Sequence, residues 1–323
     1  MTVPDVVTIG ETMALLSNPR VGPLRHATSL DLSCAGAESN LAIGLSRLGH
    51  TVCWIGRVGA DEFGALVRRT LVAEGVDVRS VVVDPDAATG LMVRSRRTDA
   101  LTRVTYYRSG SAGSRLCADD VDCGVLRTAQ ILHVTGITPA LSASARAAIR
   151  YAIEFAAANG VVVSLDINYR QALWPAEQAV LELRELARQA DILFATEPEA
   201  RLIAEGDPAP DSEALAVDLA ALGPTQVLLK RGAEGGVACI DGAVQTYTAY
   251  PVTQIDPIGA GDAFAAGYLS GLLDGEPVED RLRRAALAGA FAVSVSGDWE
   301  GLPDRAELAM IAAQTSSDEP VVR

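Results

Sequence analysis

The sequence predicts an α/β fold: a mostly parallel central sheet flanked by helices, with a small β-flap acting as a lid. Three observations predict it. Short runs rich in β-branched residues recur along the chain and are continuous rather than alternating, as strands covered on both faces require. Most are followed by a polar or glycine break and a longer amphipathic stretch, the rhythm of βαβ units. Two stretches interrupt that rhythm, and they predict the flap.

The expected strands are residues 6–9, 52–55, 131–134, 161–165, 192–194 and 227–229. Leu41, Leu45 and Leu48 stand at i, i+4 and i+7 and share one helix face. Residues 142–159 are alanine-rich and read as a helix, as do residues 281–296. Residues 14–33 contain Pro19, Gly22 and Pro23 and read as non-helical. Residues 89–108 partly alternate about a turn near Asp99, a hairpin with one wet face. The flap is therefore expected from about 14–33 and 89–110. No repeat, linker or charge run marks a boundary, so residues 1–315 read as one α/β domain and 316–323 as a polar tail.

Bulk properties exclude several classes. The net charge is −14 and the pI about 4.7, with no basic stripe for nucleic acid. An anion would need a local cluster of cations and amides. The five cysteines include no CxxC pair, which argues against a disulfide framework or zinc ribbon. His26, His50 and His133 lack metal-ligand spacing. The first residues do not form a signal peptide, and no apolar run reaches membrane-spanning length. These features predict a reducing, cytoplasmic location with no membrane partner.

The stretch IDPIGAGDAFAAGYLSG, residues 255–271, carries the chemistry. A glycine turn at the carboxyl end of a sheet lets backbone amides approach an anion, and the following helix adds positive potential. Gly259, Ala260 and Gly261 can thus form an anion hole with Asp262 at its edge. The helix field would keep that carboxylate ionised, ready to take a proton from an alcohol. A plain N-cap by Asp262 fits the same residues. No Walker loop and no dinucleotide Gly-x-Gly-x-x-Gly fingerprint is present.

This stretch resembles the second signature of the ribokinase, or PfkB-type, carbohydrate kinases. Residues 34–64, CAGAESNLAIGLSRLGHTVCWIGRVGADEFG, resemble the first. Both occur in the expected order at opposite ends of the chain. GETMALL, YYRSGSAGSRL, GITPALS, SLDINYRQALW, LLKRGAEGG and GDWEGLP extend the resemblance from Gly10 to about Pro303, closest to the branch acting on 2-keto-3-deoxygluconate.

The resemblance implies a ribokinase-like fold and transfer of the γ-phosphoryl of ATP to a sugar's primary hydroxyl, with Mg2+ and with a monovalent cation left open. It implies Asp262 as base and the amides of Gly259, Ala260 and Gly261 as the hole for developing charge. Gly36, Asn40, Met92, Tyr106, Arg108 and Arg170 would contact the sugar, the two arginines through a substrate carboxylate. Asn168, Thr196, Lys230, Gly232 and Gly235, with Gly259 and Gly261, would serve the nucleotide, and Glu199 would reach the metal through water. Ala286, Ala290 and Ser294 would line the adenine pocket.

Three departures stand out. Thr196 replaces the asparagine of the family's Asn-x-x-Glu motif. Met92 stands where relatives using ketodeoxygluconate often have a tyrosine. Pro257 replaces a usual threonine, a variant that suits that branch. A kinase for 2-keto-3-deoxygalactonate, fructose or ribose therefore stays open, as does a non-catalytic sugar or nucleotide sensor. A covering flap also implies open strand edges, and hence a homo-oligomer, a dimer or higher.

Overall fold

The structure, a computed structural model, describes residues 3–98, 101–206 and 209–314. The strands are β1 (Val6–Ile9), β2 (Met13–Ser17), β3 (Asp31–Ala35), β4 (Val52–Gly59), β5 (Val81–Asp84), β6 (Leu91–Thr98), β7 (Leu101–Tyr107), β8 (Ile131–Thr135), β9 (Val162–Asp166), β10 (Ile192–Thr196), β11 (Gln226–Lys230), β12 (Gly236–Ile240) and β13 (Ala243–Tyr247). The helices are α1 (Ala37–Arg47), α2 (Glu62–Ala73), α3 (Cys123–Leu126), α4 (Ala143–Ala158), α5 (Ala176–Ala187), α6 (Glu197–Ile203), α7 (Ser212–Ala220), α8 (Ala260–Leu273), α9 (Val278–Val293) and α10 (Arg305–Gln314).

Among the described residues the strands form two sheets. The larger has nine strands in the order β13-β12-β11-β10-β9-β8-β1-β4-β5. It is parallel from β5 to β11, and β12 and β13 add an antiparallel edge. The predicted continuous apolar runs are its central strands: 6–9 is found unchanged, 52–55, 131–134 and 192–194 gain one to four residues at their carboxyl ends, 227–229 gains one at each end, and 161–165 shifts by one. This is the mostly parallel sheet flanked by helices that the sequence predicts.

The helices cover both faces of the sheet. On one side Ile149 and Ile153 of α4 are fully buried with Leu132, Val134 and Leu165. On the other, Trp54, Phe194 and Tyr268 are fully buried, and Phe194 meets the Tyr268 ring edge-on at 5.8 Å. Leu41 and Leu45 join that second core, whereas Leu48 packs with Leu287 and Leu308. Helix 142–159 is found one residue inside its expected ends, because Ser142 caps the Ala145 amide and Asn159 ends it. The late helix begins three residues earlier than expected, behind Pro277, and ends at Val293 rather than residue 296.

The flap is a four-stranded sheet, β3-β2-β6-β7. Its two chain segments join through the parallel β2–β6 pair, a non-local contact that alternation cannot reveal. The segment expected to be non-helical contains one 3-10 turn, Leu24–His26. The hairpin of β6 and β7 forms as expected, with Met92 opposite Tyr106. Its turn near Asp99 lies outside the described residues, as do 316–323.

This topology fixes the site. Asp166, Thr196 and Lys230 are the last residues of neighbouring parallel strands, and Thr196 and Lys230 are register partners. Ligands of open α/β sheets gather at that carboxyl edge. The flap lies over the same edge.

Candidate active site

One cavity of about 1070 Å³ lies between the sheet edge and the flap. It is lined by Gly36 and Asn40 from the start of α1, by Met92, Tyr106 and Arg108 from the flap, and by Asn168 and Arg170 after β9. Thr196, Glu199, Lys230, Gly232 and Gly235 line it from the other side, and Gly259, Ala260, Gly261 and Asp262 close it. The residues singled out in the sequence thus meet in one place, though they are up to 226 positions apart.

Gly259 is the N-cap of α8 and adopts φ +78, the left-handed region open to glycine at little cost. A methyl group built there would lie 2.1 Å from the Asp298 carbonyl oxygen. The turn therefore requires glycine on two counts. Asp262 stands in the first turn of α8, and no side chain caps this helix. That settles the capping alternative, because the Asp262 carboxylate turns elsewhere: Oδ2 accepts a 2.8 Å hydrogen bond from Asn40 Nδ2.

The charge state of Asp262 corrects an expectation. The helix field alone would keep it ionised. Burial, reinforced by the nearby Asp166 carboxylate, instead pushes its pKa up to about 7, despite the opposing Asn40 hydrogen bond, Lys230 and Arg170. A carboxyl group tuned to that value is a competent acceptor of an alcohol proton near neutrality.

Lys230 Nζ is 2.6 Å from Asp166 Oδ2. Burial would lower this lysine, but Asp166, Glu199 and Asp262 outweigh it and hold its pKa above the ordinary value. It is a fixed positive charge facing the cavity. Asp166 is a lining residue that sequence reasoning missed. It sits two residues before Asn168 in SLDINYR, so the motif containing it was in view.

Asn168 has φ +39, uncommon outside glycine. Its buried Oδ1 has no hydrogen-bond partner, and neither does Asp166 Oδ1. Buried polar atoms are normally satisfied, so these two oxygens call for a ligand with donors or positive charge. Both residues line the cavity, where a hard cation would find oxygen donors. Among the described residues no group of three or more His, Cys, Asp and Glu could hold a metal by itself. Such a cation would need the oxygens of a bound phosphate as well.

Glu199 is more occupied than expected. Its Oε2 accepts from the Thr196 amide at 2.8 Å and hydroxyl at 2.7 Å, and its Oε1 from the Tyr169 amide at 2.8 Å. Thr196 and Glu199 form a capping box at the start of α6. The Thr196 departure is thus absorbed structurally, since the hydroxyl does capping work.

The two arginines separate. Arg108 is buried, with Nε 2.8 Å and Nη2 2.6 Å from Glu11 Oε2, and its guanidinium is 5.6 Å from the Tyr106 ring centre. Glu11, 3% exposed, also accepts from the Ser111 hydroxyl. It is the second lining acid that the sequence did not reveal, because its partner lies 97 residues away. Arg170 is exposed at the cavity wall, and among the described residues its guanidinium makes a 3.4 Å hydrogen bond to the Tyr169 carbonyl. Among the described residues no carboxylate pairs with it. Its planar fork is available to an incoming anion; half of the Arg108 fork is already committed.

Glu38, the third missed acid, lines the cavity and is 1% exposed. It accepts from the hydroxyls of Thr135 and Thr138, both at 2.8 Å, and burial raises its pKa. Ala286 and Ala290 line the cavity as expected, but Ser294 does not: it ends α9 and its hydroxyl bonds the Ala290 carbonyl. Gly235, at φ +77, would place a methyl 2.0 Å from the Tyr247 carbonyl oxygen, so that glycine is required by the packing of β13.

Residues 3–305 match the model of the pfkB family carbohydrate kinases. The 2-dehydro-3-deoxygluconokinase of Bacillus subtilis (strain 168) is 36% identical over 310 residues, 94% of each chain. The 2-dehydro-3-deoxygalactonokinase of Haloferax volcanii is 34% identical over 306 residues, 94% of this chain and 95% of that one. A proposed ribokinase II from E. coli, solved with ATP and Mg2+, superposes with a TM-score of 0.89 at 26% identity, covering 96% of this chain and 99% of that one. A match over nearly the whole chain, with the glycine turn and its acid in place, has one consequence: this chain belongs to the pfkB family of carbohydrate kinases.

Proposed function

We propose that the chain transfers the γ-phosphoryl of ATP to the primary hydroxyl of a 2-keto-3-deoxy sugar acid, 2-keto-3-deoxygluconate (2-dehydro-3-deoxygluconate) first. The observation that carries this is the pairing of a base and anion hole at one end of the cavity with an uncommitted guanidinium, Arg170, at another. The identity to relatives named for such acids supports it.

In this reading Asp262, held by Asn40, removes the proton from the attacking hydroxyl. The amides of Gly259, Ala260 and Gly261 receive the charge on the transferred group, and Lys230 adds a cation facing the nucleotide. Gly36 and Asn40 bound the sugar from below, and Met92, Tyr106 and Arg108 from the flap. Arg170 takes the carboxylate bidentately, with Arg108 contributing its uncommitted edge. Asn168, Gly232 and Gly235 border the nucleotide. Mg2+ bound with ATP would neutralise phosphate charge; Asp166 and Asn168 offer the oxygens that fit it. Glu199 orders Thr196 and the Tyr169 backbone, and reaches the metal only through water.

The reading also takes residues 1–315 as one ribokinase-like unit whose lid is the flap. It places the enzyme in the cytoplasm, where the free cysteines stay reduced. Among the described residues no helix is long and apolar enough to cross a membrane.

A second reading has one observation behind it. Met92, 5% exposed, presents a thioether where a hydrogen-bonding residue would hold a polar sugar. That tolerance favours the galactonate epimer or a neutral ketohexose. An ADP-release assay over 2-keto-3-deoxygluconate, its galactonate epimer, fructose and ribose tests both. The highest kcat/KM on 2-keto-3-deoxygluconate supports the first reading, and on the galactonate epimer or fructose the second; fructose or ribose in that place overturns the keto-acid assignment.

A further inference from the structure

The lid and the glycine turn share one charged pin. Residues two apart on a strand face the same way, so Met92 and Arg94 of β6 both turn inward. Met92 lines the cavity, whereas Arg94, 5% exposed, passes behind it. Arg94 Nη1 donates to Asp256 Oδ2 at 3.3 Å and lies 2.9 Å from Asp298 Oδ1. Asp298 Oδ1 accepts no directed hydrogen bond, so that second contact is ionic.

Both acids flank the anion hole. Asp256 precedes Gly259 by three residues, and its Oδ1 accepts from the Ile258 amide at 3.2 Å. Its Oδ2 accepts from the Gly297 amide at 3.4 Å, which ties the two loops together. The Asp298 carbonyl oxygen fills the space beside Gly259, 2.1 Å from where a methyl group built on that glycine would lie. The loop 297–301 is held to lid strand β3 by two further bonds: Ser33 Oγ to Glu300 Oε1 at 2.7 Å, and Trp299 Nε1 to the Cys34 carbonyl at 3.0 Å. Among the described residues, the ion pairs of Asp256 and Asp298 are both with Arg94.

We propose that Arg94 is a positioning residue that couples the seating of the sugar under the lid to the geometry of the Gly259–Gly261 anion hole. It touches neither substrate. It acts through Asp256 and Asp298, fixing the turn in place and neutralising two carboxylates that would otherwise repel the incoming phosphoryl group. A sugar that orders β6 through Met92 therefore orders the turn, and the nucleotide binds better once the sugar is in place. By linkage the sugar gains as much from the nucleotide.

The inference rests on the kinase reading, and the test separates them. A non-hydrolysable ATP analogue with Mg2+ is titrated calorimetrically into the full chain, with and without 2-keto-3-deoxygluconate. If the ADP-release assay prefers another sugar, that sugar is used. The wild type should bind the analogue about tenfold tighter with the sugar present. Arg94→Met should bring that ratio close to one and lower kcat, with the sugar-free affinity changed far less. Arg94→Lys should restore part of the ratio. If Arg94→Met does not fold, as judged by its melting transition, Arg94→Lys and Asp298→Asn carry the measurement. A wild type that turns over without coupling, or an Arg94→Met that keeps the full ratio, overturns the proposal. A wild type without turnover on any sugar overturns the kinase reading itself.

Discussion

Asn40 Nδ2 donates a 2.8 Å hydrogen bond to Asp262 Oδ2, joining the first turns of two helices 222 residues apart in sequence. Helices α1 and α8 pack against each other, so the bond rests on a rigid frame. Asn40 lines the cavity, and its Oδ1 is buried and without a hydrogen-bond partner among the described residues. One end of the amide thus orients the acid, and the other awaits a hydroxyl donor.

That arrangement sets the first expectation. Asp262→Asn keeps size and loses basicity, so kcat should fall about 10³-fold. Affinity for sugar and for ATP, measured by calorimetry, should stay near wild type. Substantial residual turnover would remove Asp262 from the role of base.

The pH profile follows from the same group. Asp262 must be deprotonated to accept the hydroxyl proton, and burial raises its pKa to about 7. The kcat/KM, which reports the free enzyme, should therefore rise with pH through about 7 and level off above it. Below that value it should drop roughly tenfold per pH unit. A rate flat between pH 5 and 8 would contradict this.

How much of this was readable in the sequence depends on whether a signal was local. The strands were readable because two-sided burial leaves continuous apolar runs, as in β9 and β11. The glycine turn was readable because Gly259 must be glycine and its acid follows within three residues. Glu11 and Asp166 were not. Each is an ordinary acid whose meaning comes from Arg108 or Lys230 across the fold. The parallel β2–β6 pair was hidden likewise, since a non-local ladder leaves no pattern in either strand. The pKa of Asp262 was misjudged because the helix field is local, whereas burial depends on everything packed around the cavity.

Stability should carry a histidine signature. His133 is 2% exposed, and its Nδ1 is 2.9 Å from Ser164 Oγ. Burial, with a smaller push from Lys230, lowers its pKa to about 3. The unfolded chain takes up this proton near pH 6.5 and the folded chain does not, so stability is lost as pH falls from about 6.5 towards 3. The slope approaches 1.4 kcal/mol per pH unit. Asp262 and Asp298, both raised to about 7, act in the opposite sense. The difference between wild type and His133→Gln isolates the histidine, and denaturant unfolding at pH 4.5 and 7 should show it. An identical pH dependence in both would count against it.

Assembly is open to a direct check. The flap exposes Leu32, Leu101 and Tyr107, at 50%, 56% and 63% of their surface. β3 and β7 are its edges. An apolar sheet with free edges is a natural seat for a second copy. We expect a homodimer by light scattering, and Leu101→Lys should shift it towards monomer. A monomeric wild type at micromolar concentration would exclude this.

The last prediction separates the arginines. Arg170 is exposed and has no ion pair among the described residues, so Arg170→Met should leave the melting temperature nearly unchanged. Its kcat/KM on the keto acid should collapse, because the carboxylate loses its bidentate partner, at a cost of about 2–5 kcal/mol if the pair is dry. Trace activity on fructose should fall far less, since that sugar brings no charge. Arg108 behaves differently. Its loss strands the buried Glu11 carboxylate, and breaking a buried pair from one side costs about 3–5 kcal/mol of stability. Arg108→Met should therefore lower the melting temperature as well as activity, and on both substrates. The ratio of kcat/KM on acid over neutral sugar removes any general loss of folded enzyme. That ratio should drop steeply in Arg170→Met and modestly in Arg108→Met. Equal loss on both substrates in Arg170→Met would mean that the exposed guanidinium serves ATP or structure. The assignment would then retreat from a keto-acid kinase to a sugar kinase.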